Sequence, residues 1–175
     1  FGILYGAGPN KIAETANVSM EDAKRFIKQY FAQARDLKVW IDSNIQFIKD
    51  NHFTYSAFGR KRRLPEAGAD SRGVAGHAQR SGLNFLIQAV ASDINLLGIV
   101  DTVKWIKDNN LQDEIRVFAT VHDSTVAEVR EDMVDVYVEE LTKNLQKDRG
   151  VFIEGKPINV DIEIGPSWGE LKDYS

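Results

Sequence analysis

Apolar side chains recur at helical spacing over much of the chain. Ser19-Met20-Glu21-Asp22 reads as a helix start, with Ser19 as N-cap and an acid three residues on. Ala23, Phe26, Ile27, Tyr30 and Phe31 follow on one face. Leu37, Trp40, Ile41, Asn44, Ile45 and Ile48 mark a second helix, and the two are expected to pack as a helical hairpin. A short helix over 10–17 follows the punctuation Gly6-Ala7-Gly8-Pro9. The stripe Leu83, Leu86, Ile87, Val90, Ile94, Leu97 and Val100 predicts one long helix or two consecutive ones over 77–107. Residues 131–145 form a further amphipathic pattern.

Elsewhere the pattern is that of strands. Phe53, Tyr55 and Phe58, with Gly59 as a turn residue, predict a short hairpin or irregular arm over 52–64. Residues 65–76 read as a loop with the beginning of a helix. Residues 115–121 and 124–129 are β-rich runs broken by His122-Asp123, the pattern of a hairpin with a polar tip. Residues 157–164 alternate as a strand and run into a turn at Gly165-Pro166-Ser167-Trp168-Gly169. The fold class expected is α+β: a small antiparallel sheet, made of the Asp123 hairpin and the C-terminal strand, packed against several helices.

Composition narrows the picture. At 175 residues, 43% of them hydrophobic, the chain can bury one sizeable core. It has no cysteine, which excludes disulfides and thiolate-bound zinc. No apolar run approaches the roughly 20 residues of a spanning helix, and no secretory signal is visible, so an intracellular, cytoplasmic protein is expected. The start, Phe1-Gly2-Ile3-Leu4-Tyr5-Gly6, lacks methionine and is unusually apolar for an exposed terminus. It reads as a cut through a larger protein, a processed or split product, or a terminal strand packed in the core. Net charge is -4, yet Arg60, Lys61, Arg62, Arg63, Arg72 and Arg80 face only Glu66 and Asp70 in the middle of the chain. Acids dominate from Glu131 onward. A basic face that meets phosphates fits this distribution, as does a solvated loop with a chance cluster.

Four constellations could carry chemistry. The hairpin tip presents the imidazole of His122 and the carboxylate of Asp123 from an apolar support; Mg²⁺ prefers such hard oxygen ligands, though polar tips also serve as plain solvated turns. Arg80, Asn84 and Gln88 stand four residues apart and so share one helix face. They could donate to the acceptors of the DNA minor groove, or form an ordinary polar face. Gly59-Arg60-Lys61-Arg62-Arg63 could hold a phosphate backbone from an arm. If the opening segment is helical, Phe1 and Tyr5 share a face, as do Gly2 and Gly6, giving a flat surface for a base pair or ordinary core packing.

These features resemble, in order, those of the family A DNA polymerases. Phe1-Gly2-Ile3-Leu4-Tyr5-Gly6 is similar to the end of the fingers motif, Phe-Gly-x-x-Tyr-Gly. Gly59-Arg60-Lys61 with Leu64-Pro65 resembles the arm Gly-Arg-Arg-x-x-Leu-Pro. Arg80, Asn84 and Gln88, followed by Ala91 and Asp93, resemble the palm helix that touches the primer-template. Val121-His122-Asp123 resembles the third polymerase motif, and Gly165-Pro166-Ser167-Trp168 the closing Gly-x-x-Trp element. Phage members are the most similar in character. The resemblance implies part of a right-hand polymerase fold, with 1–50 the C-terminal part of the fingers and 51–175 the palm.

It further implies deoxynucleotidyl transfer to a primer 3′-hydroxyl with two Mg²⁺ ions, from deoxynucleoside triphosphates, on primer-template DNA. Asp123 would be a metal ligand and His122 its catalytic neighbour near the primer end. Tyr5 would lie by the insertion site, and Phe1 by the sugar of the incoming nucleotide, where phenylalanine accompanies discrimination against dideoxynucleotides. Arg80, Asn84 and Gln88 would hold the duplex, with Arg60 and Lys61 on its backbone. Ser124 departs from the glutamate of many members. The second metal-binding aspartate and the fingers Lys and Arg are not in this chain, so an N-terminal polymerase segment would have to complete it, in a bacterial or phage-infected cell. Two other readings stay open. One is a non-catalytic DNA-binding subunit that kept the fold. The other is a stand-alone metal nuclease, in which Glu128 or Glu163 would converge on His122 and Asp123.

Overall fold

The computed structural model describes residues 3, 6–151, 156 and 158–174. In chain order the elements are helices α1 (Pro9–Ala16), α2 (Met20–Gln33) and α3 (Arg35–Asn51), hairpin β1 (Phe53–Tyr55) and β2 (Lys61–Arg63), and helix α4 (Arg72–Asp108). Then come hairpin β3 (Ile115–Val121) and β4 (Ser124–Val129), helix α5 (Val134–Leu145), and the short strands β5 (Glu163–Ile164) and β6 (Lys172–Asp173). Short 3-10 turns lie at Pro65–Gly68, Glu131–Met133 and Trp168–Glu170. The chain forms two compact units, residues 1–90 and 91–175.

In the first unit the local signals act as read. Ser19 caps α2, its hydroxyl accepting from the Asp22 amide at 3.0 Å, an interaction that stabilises a helix by about 1 kcal/mol. Ala34 alone joins α2 to α3. The core is Ile48, Leu64, Ala67 and Ala78. Helix α4 meets this core at Gly82, where a Cβ would stand 2.5 Å from Leu64 Cδ1 and 2.7 Å from Ile48 Cδ1. A side chain there would force the helix away, so glycine sets how closely α4 approaches α3 and the base of the arm.

The second unit is built on Ile106, Ile115, Tyr137 and Leu141, with Trp105, Val117 and Ala127 packed against them. Ile115 at the foot of β3 is 2% exposed, so the hairpin is anchored by a side chain worth about 1.5–3 kcal/mol of burial. A polar bridge ties α5 to the C-terminal end of α4. Asn144 Nδ2 donates to Thr102 Oγ1 at 3.2 Å, and Thr102 Oγ1 donates to the Gly98 carbonyl at 2.9 Å. Arg149 Nη2 donates both to Asp101 at 3.1 Å and to the Asn144 carbonyl at 3.0 Å. A hydrogen bond from Lys147, aided by Arg149, holds the Asp101 carboxyl below its ordinary range.

Some expectations need correction. The Asp123 hairpin and the C-terminal strand do not share a sheet; the described strands form separate two-stranded sheets, β1–β2, β3–β4 and β5–β6. Of the strand expected over 157–164, the described residues show Glu163–Ile164 pairing with Lys172 and Asp173, with Ile162 accepting from the Tyr174 amide. The return at Gly165 is tight: a Cβ there would stand 2.1 Å from the Glu170 carbonyl oxygen, so glycine lets β6 fold back on β5. By length and composition alone α4 is long and apolar enough to cross a membrane, although it holds no unbroken apolar run of that length. Scattered polar residues interrupt its apolar stretch, which is why no run shows. Among them are Asn84, Gln88 and the buried Asp93, side chains that are costly in lipid.

Tyr137 carries a testable consequence. Its hydroxyl is enclosed without a hydrogen-bond partner, and burial pushes its pKa up to about 12. An unfolded tyrosine ionises near ~10. Unfolding therefore releases a proton above that value, and stability falls as pH rises through this window. Tyr137→Phe removes the unpaired hydroxyl. It is expected to stabilise the protein by about 1 kcal/mol at neutral pH and to lessen the alkaline loss. Thermal melts of both forms at neutral and strongly alkaline pH check this.

Candidate functional site

Strands β3 and β4 pair antiparallel from Ile115↔Val129 to Val121↔Ser124, so His122 and Asp123 alone form the loop. A two-residue hairpin loop needs positive φ, and His122 supplies it at +56°. Histidine is among the few non-glycine residues that tolerate this region. Ser124 Oγ donates to the Val121 carbonyl at 2.8 Å and ties the tip across its base. His122 and Asp123 are both exposed. Asp123 has no hydrogen-bond or ion-pair partner among the described residues. Its carboxylate is free to take an external cation.

One carboxylate is a partial site. Among the described residues no three His, Cys, Asp or Glu side chains are placed to share an ion. Glu128 and Glu163 therefore do not converge with His122 and Asp123, and the nuclease reading loses its ligand set. Asp123 fits a shared metal site only as one hard-oxygen ligand, with the rest supplied from elsewhere.

In the first unit, Arg80 and Gln88 are exposed and Asn84 is half-buried on one face of α4. Of the Asn84 amide, the oxygen is the enclosed end, with no partner. Two glycines make room for Arg80. A Cβ on Gly6 would stand 3.2 Å from Arg80 Cγ, and one on Gly76 would stand 3.3 Å from Arg80 Nη1. The opening motif thus reaches Arg80 through Gly6, at φ +74°. Phe1 and Tyr5 lie outside the described residues.

The arm separates its cations. Thr54 pairs with Arg62, and Thr54 is buried at 2% exposure, so that face of the hairpin turns inward. Arg62 Nη2 donates to Ser81 Oγ at 2.7 Å, and its guanidinium lies 5.6 Å from the Phe85 ring centroid. Arg60 lies 5.8 Å from the same ring. On the helical wheel Ser81 and Phe85 stand about 100° and 140° from Arg80, directly beside the Arg80–Asn84–Gln88 stripe. Arg60 and Arg62 therefore border the stripe. Lys61 pairs with Tyr55 on the opposite face. Sequence reasoning gave the whole run Gly59-Arg60-Lys61-Arg62-Arg63 a phosphate-holding role and singled out Arg60 and Lys61. It did not separate the two faces that strand pairing assigns, with Lys61 on the face opposite to that of Arg62.

The sequence model of DNA polymerase family A matches residues 1–170. The chain is 44% identical to the DNA polymerase of Escherichia phage T5, over 100% of the chain and 22% of that protein. It is 29% identical to DNA polymerase I of Caldicellulosiruptor bescii, over 98% of the chain and 20% of that protein. It thus spans about a fifth of the length of these curated relatives. Among solved structures, the POL domain of Pol1 from M. smegmatis, in complex with DNA primer-template and dNTP, superposes with a TM-score of 0.77 at 28% identity. That match covers 83% of this chain and 25% of the other.

The hydrogen bond across the tip is testable. Ser124→Ala is expected to speed amide hydrogen exchange at residues 122–124 while leaving 115–117 slow, and Ser124→Thr to keep the wild-type rate. Exchange measured by mass spectrometry separates the two outcomes.

Proposed function

Because the chain belongs to DNA polymerase family A, we propose that it is the part of a template-directed DNA polymerase that carries one catalytic aspartate and the helix that grips the primer-template. The observation that carries this reading is Asp123: a carboxylate without a partner, held at the tip of a hairpin anchored in a core, in a chain matching the family nearly throughout.

In this reading Asp123 is a ligand of Mg²⁺ at the reaction centre. The ion, when bound, stabilises negative charge on the attacking and leaving oxygens of phosphoryl transfer. The hairpin's role is to hold the Asp123 carboxylate in place, and the Ser124 bond and the β3 anchor both serve that. His122 lies beside the primer end. Arg80, Asn84 and Gln88 donate to minor-groove acceptors, a contact that registers duplex shape more than sequence. Arg60 and Arg62 neutralise backbone phosphates at the border of that stripe. Phe1 and Tyr5 belong beside the incoming deoxynucleoside triphosphate. Residues 1–50 are the end of the fingers and 51–175 the palm. The second aspartate and the cations that grip the triphosphate come from polypeptide N-terminal to these motifs in the family. The protein works inside a bacterial or phage-infected cell.

The test is primer extension by the natural protein that carries this chain. Asp123→Ala is expected to abolish extension while leaving primer-template affinity within a few-fold; normal extension by that variant sinks the assignment. Duplex binding with no extension by the unaltered protein supports the non-catalytic subunit instead. Arg62→Ala is expected to raise KM for DNA with little change in kcat. It should also reduce the slope of log affinity against log salt by about 1, as the loss of one phosphate contact requires.

A further inference from the structure

The outward face of the arm departs from the usual strand pattern. In β1 the small polar Thr54 is buried, as is Ser56 just beyond, while the aromatic Tyr55 between them is 47% exposed. Phe53 shares the outward face and meets Tyr55 edge to face at 5.3 Å. Phe47 of α3, 42% exposed, meets Phe53 at 5.7 Å. Across the hairpin stand Lys61 and Arg63, opposite Tyr55 and Phe53. Lys61 Nζ sits 3.7 Å from the Phe53 ring centroid and 5.5 Å from that of Tyr55. Neither Lys61 nor Arg63 has an ion-pair partner among the described residues.

Aromatic rings exposed beside cations that have no ion-pair partner leave both a stacking surface and positive charge open to a ligand. The rings pack edge to face on one another and on α3, and the ammonium already sits over the face of Phe53, which leaves Tyr55 the more open ring. We propose that this face, made of Phe47, Phe53, Tyr55, Lys61 and Arg63, is a second nucleic-acid surface that binds single-stranded DNA. Bases stack at Tyr55 and phosphates meet Lys61 and Arg63. A duplex needs only the cations, because its bases are already stacked; aromatic rings next to cations select unpaired bases. A protein partner would need acidic groups to match the two cations. The inward face, with Arg60 and Arg62 beside the Arg80–Asn84–Gln88 stripe, is left for duplex. The hairpin thus divides two forms of DNA between its faces. The proposal rests on the polymerase reading only for the identity of the strand, which is then the unpaired template.

The experiment measures fluorescence anisotropy of a labelled oligothymidylate, and separately of a blunt duplex, with the natural protein carrying this chain. Losing one base-stacking ring is worth about 1–3 kcal/mol. Tyr55→Ala should therefore weaken the single strand at least about fivefold more than the duplex, and Tyr55→Trp should restore it. The Lys61→Ala, Arg63→Ala double variant should lower the single-strand salt slope by about 1.4, from two phosphates at about 0.7 each. Equal weakening of both ligands by Tyr55→Ala overturns the proposal. No weakening overturns it too, and is the result expected if polypeptide covers this face. No catalysis enters the measurement. A protein that binds oligothymidylate through Tyr55 but extends no primer keeps this inference and defeats the polymerase reading.

Discussion

A strand sends successive side chains to opposite faces, and a hairpin locks that parity across two strands at once. In the arm, burial of Thr54 and Ser56 fixes which face turns inward. Every cation of the run then has its side assigned: Arg60 and Arg62 toward α4, Lys61 and Arg63 away from it. In the second hairpin, Ile115 and Val117 enter the core, and pairing runs out to Val121 and Ser124, leaving His122 and Asp123 beyond the last pair. A slip of one residue in either hairpin would exchange the faces and scatter both constellations. Register is the constraint on which the candidate sites depend.

What holds register is apolar packing and not charge. Exposed ion pairs such as Lys11–Glu14 contribute about 0–1 kcal/mol each. A single core truncation at Ile115 or Leu83, both almost wholly buried, would cost about 2–5 kcal/mol. The glycines belong to the same account. Gly82 lets α4 lie against Ile48 and Leu64, and the arm leaves that same core at Leu64. The position of Arg62 beside Ser81 thus follows from a missing side chain one residue further along the helix.

Much of this was legible in the sequence because the signals are local. The Ser19 cap, the helical stripes and the two-residue break at His122-Asp123 each declare themselves within a few residues. The sorting of Arg60–Arg63 did not, because four consecutive cations carry no parity of their own. It comes from the partner strand, where the rule that apolar residues turn inward points the wrong way at Tyr55. The C-terminal strand was over-read for a related reason. Alternation over 157–164 marks a chain suited to pairing, but pairing also needs a partner in register, and only Glu163–Ile164 finds one among the described residues. The apolar richness of α4 escaped a count of runs because polar residues are scattered through it.

Local rules are broken in two distinct ways, and the difference separates site from scaffold. Tyr137 and Arg149 each leave a buried polar atom without a partner. These belong to the second unit, away from the candidate site residues, and they read as tolerated packing costs, unlike the enclosed Asn84 oxygen on the Arg80–Asn84–Gln88 face. His122 at positive φ, Asp123 without a partner and Tyr55 turned outward are exposed. There, solvent could have relaxed the geometry or a neutral residue could have replaced the side chain at little cost. Exposed departures of this kind bring the fold little burial, which makes them candidates for binding. Two places combine such a departure with charged groups that have no ion-pair partner among the described residues, the tip of β3–β4 and the outward face of β1–β2. The first is where the resemblance to the third polymerase motif, and the proposal built on it, puts the metal-binding aspartate. The second is the arm's own, and by the same reasoning it marks a surface with a ligand.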